Sequence, residues 1–149
     1  MKILFINGPN LNMLGKREKN TYGNSSWKEI EEELYKEAQR LNVEALFFQS
    51  NHEGEIVERI QKAQEESIGF LIINAGAYTH TSIAIRDAVL SVQIPIIEVH
   101  MSNIFKRESF RHVSFLSDIA RGIICGMGKL SYKLALHAAL ELKNGTPDM

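Results

Sequence analysis

Ile3-Leu4-Phe5-Ile6 runs directly into Asn7-Gly8-Pro9-Asn10, and this switch from continuous apolar residues to polar, turn-forming ones decides the fold. A short run that is apolar on both faces reads as a parallel strand covered by helices on both sides. The same switch recurs where Phe70 to Ile73 stops at Asn74-Ala75-Gly76, and where Ile96 to Val99 stops at His100-Met101-Ser102. In one parallel sheet all three polar clusters fall along the carboxyl edge. That edge is where open α/β sheets bind ligands, so the pattern points to a small-molecule site.

Outward from these runs, strands and helices alternate. Gly8 to Asn24 is too polar and unperiodic for an element and reads as a long loop, of a length that in compact domains is usually functional or mobile. Ser26 and Glu29 form a capping box, followed by a helical face of Ile30, Leu34, Ala38 and Leu41. Val43 to Phe48 predicts the second strand, and Ile56, Ile60 and Ala63 mark the second helix. Ser82 to Val92 carries a third helical face through Ile85, Ala88 and Val89. His100 to about His112 is a second polar loop, Gly122 to Cys125 a short last strand, and Tyr132 to Leu142 a closing helix with Leu136 and Leu140 on its face. Residues 144–149 read as a frayed tail. Right-handed crossovers then give a flavodoxin-like, doubly wound parallel five-stranded α/β sheet in the order 2-1-3-4-5. The order makes the three polar tips neighbours at the topological switch point.

The chain has 149 residues, the size of one domain, and 1–149 is read as a single unit. With 17 Lys+Arg against 18 Asp+Glu the net charge is −1, which argues against nucleic acid or an anionic membrane as partner. Cys125 is the only cysteine, which excludes an internal disulfide and a cysteine-based zinc site and fits a reducing cytoplasm. The apolar run after Lys2 is too short for a signal-peptide core, and no stretch reaches the roughly 18 apolar residues of a membrane span. A soluble cytoplasmic protein is expected.

Glu98 and His100 leave the same face of their strand, so the carboxylate can orient the imidazole and hold a proton on it, as a general acid requires. The same spacing also suits a structural polar pair. Arg17 and Tyr22 lie in the long first loop. An unperturbed tyrosine titrates near about 10, and bringing it close to neutrality takes about 4 kcal/mol. One guanidinium about 4 Å away, at an effective dielectric near 20, supplies about that much, so the two residues can make a phenolate base. Ordinary solvated loop residues are the alternative. Asn10, Asn74, His80, Ser102 and Arg111 add amide, imidazole, hydroxyl and guanidinium groups at the same edge, a set suited to a ligand with several hydroxyls and a carboxylate. Taken singly, asparagines after strands make turns. His52-Glu53 lacks the second histidine of a zinc peptidase helix, and no Gly-x-x-x-x-Gly-Lys loop is present. His112 and His137 read as surface or helix-packing residues.

The ordered set Asn7-Gly8-Pro9-Asn10-Leu11, Arg17-Glu18, Tyr22-Gly23, Asn74 through Ser82, Arg86-Asp87-Ala88 and Glu98 through Asn103 resembles the type II 3-dehydroquinate dehydratases, or type II dehydroquinases, over essentially the whole chain. The resemblance implies elimination of water from 3-dehydroquinate through an enolate to 3-dehydroshikimate, without metal or cofactor, in the shikimate pathway or in quinate catabolism. It also implies roles: Tyr22 as base, Arg17 as its stabiliser, His100 as acid, Glu98 as the group orienting His100, and Asn10 as holder of a water near the enolate oxygen. Substrate contacts would come from Asn74, His80, Arg111, Ser102 and the backbone at Met101 and Ser102, with Asp87 reaching in from a neighbouring subunit. The loop of residues 8–24 would act as a lid, and the assembly would be a dodecamer built as a tetramer of trimers. The competing expectation is a non-catalytic flavodoxin-like module that binds a small polyhydroxy carboxylic acid.

Overall fold

The computed structural model describes residues 1–16, 20 and 23–145. The elements follow in the order β1 (Lys2–Asn7), α1 (Trp27–Arg40), β2 (Glu44–Gln49), α2 (Glu53–Glu65), β3 (Phe70–Asn74), α3 (Ile83–Ser91), β4 (Ile96–His100), β5 (Gly122–Cys125) and α4 (Leu130–Lys143). The strands form one parallel sheet in the order β2-β1-β3-β4-β5, as expected. Each apolar run gives alternate side chains to opposite faces. Ile3, Phe5, Phe70, Ile72, Ile97 and Val99 pack under α1 and α4, while Leu4, Ile6, Leu71, Ile73 and Ile96 pack under α2 and α3. Each of these strand residues is at most 2% exposed, so each contributes roughly 1.5–3 kcal/mol of burial.

Two of the helices begin at side-chain caps. Ser26 Oγ accepts from the Glu29 N–H and Glu29 Oε2 accepts from the Ser26 N–H, both at 3.2 Å, closing the capping box that starts α1. Ser82 Oγ accepts from the Ile85 N–H at 2.9 Å and starts α3. Among the described residues no helix is long and apolar enough to cross a membrane.

Several boundaries differ from the sequence reading, among them β2, which runs Glu44–Gln49 and not Val43 to Phe48, and the closing helix, which starts at Leu130. β1, β3 and β4 each run one residue further, because Asn7 and Asn74 are ladder partners and His100 pairs with Cys125. The polar residues at these tips are thus held by the sheet. The first loop also contains a 3-10 turn, Leu11–Met13, which buries Leu11 and Leu14 in the core under α1 and α4. A three-residue turn is too short to show periodicity. On α4 the buried face is Tyr132, Ala135, Leu136 and Ala139, with Leu140 only partly covered.

The tips of β1 and β3 are locked together. A Cβ on Gly8 would stand 2.1 Å from the Ala75 carbonyl oxygen, so this position admits only glycine without a backbone shift. The Gly8 N–H donates to the Asn74 carbonyl at 2.8 Å. Beyond it Asn10 takes the left-handed conformation, φ 69°, which asparagine tolerates better than most residues.

Candidate active site

A cleft opens at the carboxyl edge, and Asn10, Asn74, His80, His100, Ser102 and Arg111 all line it. The strand ends and the loops after β1, β3 and β4 therefore bring together six residues selected from sequence.

β4 carries the central pair. Because Ile96, Glu98 and His100 alternate onto one face, Glu98 lies directly behind His100, and His100 Nε2 is 2.7 Å from Glu98 Oε1. Glu98 is fully buried. Ser114 Oγ donates to its Oε1 at 2.7 Å and Ser117 Oγ donates to Oε2. Burial pushes the Glu98 carboxyl up, but the hydrogen bonds from His100, Ser117 and Ser114 outweigh it and hold the group below the usual carboxylate range. An ionised Glu98 fixes the proton on Nε2 of His100. Nδ1 is then the ring nitrogen left to exchange a proton with a bound molecule.

This arrangement predicts a pH effect. Glu98 titrates lower in the folded chain than in an unfolded one, so its ionisation stabilises the fold above the ordinary carboxylate range. That contribution is lost as pH falls through the folded-state value. Ser117→Ala removes one donor and raises the folded-state value. The midpoint of acid unfolding, followed by circular dichroism, should move up by about half a pH unit; an unmoved midpoint would show that Ser117 does not support the charge.

His80 has the opposite character. Burial holds it below the usual histidine range; His100 and Arg111 push the same way, and its hydrogen bond to the Val113 carbonyl pulls it back. Nδ1 donates to that carbonyl at 2.7 Å, so the neutral ring presents Nε2 as an acceptor. The two imidazoles lie nearly parallel, with centroids 6.4 Å apart. Arg111 reaches the cleft with its Nε donating to Glu108 Oε2 at 2.8 Å, which fixes the plane of the guanidinium. Asn10 is placed by its backbone: its N–H donates to Asn51 Oδ1 at 3.0 Å, and Gln49 Nε2 donates to that same oxygen and to the Gly8 carbonyl, each at 3.2 Å.

Two expected residues stand apart from the cleft. The Met101 side chain is buried in the core under α1 and α4, so only its backbone is available to a ligand. Asp87 is exposed on α3 and does not line the cleft. Arg17 and Tyr22 fall outside the described residues.

A family profile described as dehydroquinase class II matches residues 1–140. The chain belongs to the type II dehydroquinases. The 3-dehydroquinate dehydratase of Prochlorococcus marinus is 57% identical over 141 residues, covering 95% of this chain and 97% of that protein. The 3-dehydroquinate dehydratase of Polynucleobacter asymbioticus is 54% identical over 138 residues, covering 93% of each. Among solved structures, type II dehydroquinase from Butyrivibrio crossotus superposes with a TM-score of 0.92 at 47% identity, covering 94% of this chain and 97% of that one.

In this type II dehydroquinase, sequence reasoning missed the segment that holds both histidines. Besides the serines on Glu98 and the Val113 carbonyl on His80, the Phe115 N–H donates to the Thr79 carbonyl at 2.9 Å. Arg86 on α3 ties the segment down through the Phe115 carbonyl at 2.8 Å and both carboxylate oxygens of Asp118. The only sequence signal was the Ser114-x-x-Ser117 spacing, which any polar turn can show. His112 and His137 do pack as expected, on the Arg107 carbonyl and on Glu37 of α1.

Proposed function

We propose that this chain is a 3-dehydroquinate dehydratase that eliminates water through an enolate. The observation that carries the reading is the buried Glu98–His100 pair facing a cleft lined by amide, hydroxyl, imidazole and guanidinium groups. Expulsion of a hydroxyl needs an acid at neutral pH, and a histidine backed by an ionised carboxylate provides one. Proton abstraction beside a ketone needs a base, which we assign to Tyr22 with Arg17 stabilising its phenolate. The phenolate takes the proton and the enolate forms. Reclosure of the carbonyl then forms the C=C bond as the C–O bond breaks, and His100 gives its proton to the departing hydroxyl, which leaves as water. Asn10 would hold a water near the enolate oxygen.

Asn74, His80 and Arg111 contact the substrate in this reading, while Ser102 and the backbone at Met101 and Ser102 receive the carboxylate. The loop of residues 8–24, anchored at its start by Gly8, Leu11 and Leu14, closes as a lid through its later part over a single-domain subunit. Asp87, exposed on α3, serves the site of a neighbouring subunit in a dodecamer built as a tetramer of trimers. A cytoplasmic place in the shikimate pathway or in quinate catabolism completes the proposal, consistent with a lone cysteine.

The test is direct. Purified protein mixed with 3-dehydroquinate should generate the ultraviolet absorbance of a conjugated enone, with solution mass measured on the same sample. No absorbance change from assembled protein would overturn the dehydratase reading, and full activity from a monomer would remove Asp87 from the site.

A further inference from the structure

Asn7 and Asn74 are partners across the β1–β3 ladder, and both side chains continue the face covered by α4. The hydroxyl of Tyr132, from the first turn of α4, lies between them: it donates to Asn7 Oδ1 at 2.8 Å and accepts from Asn74 Nδ2 at 2.7 Å. Tyr132 and Asn7 are 0% exposed and Asn74 4%. The ring alone is enough for packing, since it contacts Trp27 and Phe5 with centroids 5.3 and 6.5 Å away. Burying a phenol hydroxyl is costly unless it is hydrogen-bonded, so the oxygen needs its own account.

Desolvation pushes the Tyr132 phenol far up, so it keeps its single proton at any working pH. Asn7 takes that proton in a hydrogen bond, which leaves only acceptor capacity towards Asn74. An acceptor there selects the Nδ2 end of the Asn74 amide. On the other side, the Gly76 N–H donates to Asn74 Oδ1 at 3.2 Å and selects the carbonyl end. With both ends fixed, one N–H and one lone pair of Asn74 remain for the cleft it lines.

We propose that Tyr132 is a positioning residue for substrate binding, its hydroxyl, oriented by Asn7, holding the Asn74 amide so that an N–H meets a substrate oxygen. The inference rests on the dehydratase reading. In Tyr132→Phe the ring stays and Asn74 keeps only the Gly76 contact. KM for 3-dehydroquinate should rise about tenfold, the loss of one well-aligned hydrogen bond, while kcat changes by less than about threefold. In an Asn74→Ala background the same substitution should change KM by less than about twofold, because the group it acts through is gone.

A KM within about twofold of wild type, or a tenfold rise that persists without Asn74, overturns the role and leaves the dehydratase reading standing. Absence of turnover by the wild-type protein overturns both. If Tyr132→Phe does not fold, Asn7→Ala must raise KM at least about threefold with Asn74 present and not without it; an unchanged KM there also overturns the role.

Discussion

His100→Gln is expected to lower kcat by about 10²- to 10⁴-fold while the protein stays folded. The choice of glutamine follows from the geometry. His100 presents Nε2 to Glu98 at 2.7 Å, and a glutamine Nε2–H reaches a similar position, so the buried carboxylate keeps a donor in addition to Ser114 and Ser117. An alanine would confuse two effects, because a buried charge deprived of its partner costs several kcal/mol in stability by itself. What glutamine lacks is a proton it can release. Loss of the hydroxyl should therefore stall, while the proton beside the ketone continues to exchange with deuterated solvent, a reaction followed by NMR. Normal turnover in His100→Gln would remove His100 from the role of acid.

Tyr22→Phe should lower kcat by a similar 10²- to 10⁴-fold, with KM changing far less, because the lost hydroxyl acts on the reacting proton. Its exchange signature is the reverse: deuterium should no longer enter beside the ketone. The two variants thus divide the reaction at the enolate. Residual exchange at the wild-type rate in Tyr22→Phe would exclude the tyrosine as base, whatever happened to overall turnover.

The sheet was legible because its signals are local. Continuous runs such as Ile3 to Ile6 show burial on both faces, and the Ser26 and Glu29 box marks a helix start without tertiary information. The Glu98–His100 pair was legible for the same reason, since a spacing of two on a strand fixes a shared face. What stayed hidden depends on distant partners. Ser114 and Ser117 lie 16 and 19 residues from Glu98, and a serine in a polar loop has no periodic signal to set it apart. Tyr132 was legible only as the start of the closing helix, and its hydroxyl partners lie 58 and 125 residues away. Asn51 was likewise missed, because its work is to hold the backbone of Asn10 across strand tips.

The contact of Gly8 with Ala75 bears on how this catalyst can be re-specified. Main chain meets main chain there, and the Asn74 carbonyl binds the Gly8 N–H, so the backbone of the β1 and β3 tips that carries Asn10 and Asn74 has no slack to take up. Redesign for a bulkier or differently charged acid has to work through other side chains of the cleft, at His80, Ser102 and Arg111. A laboratory selection for altered substrates should accumulate its changes at His80 and in residues 101–111 and leave residues 7–10 and 74–76 untouched.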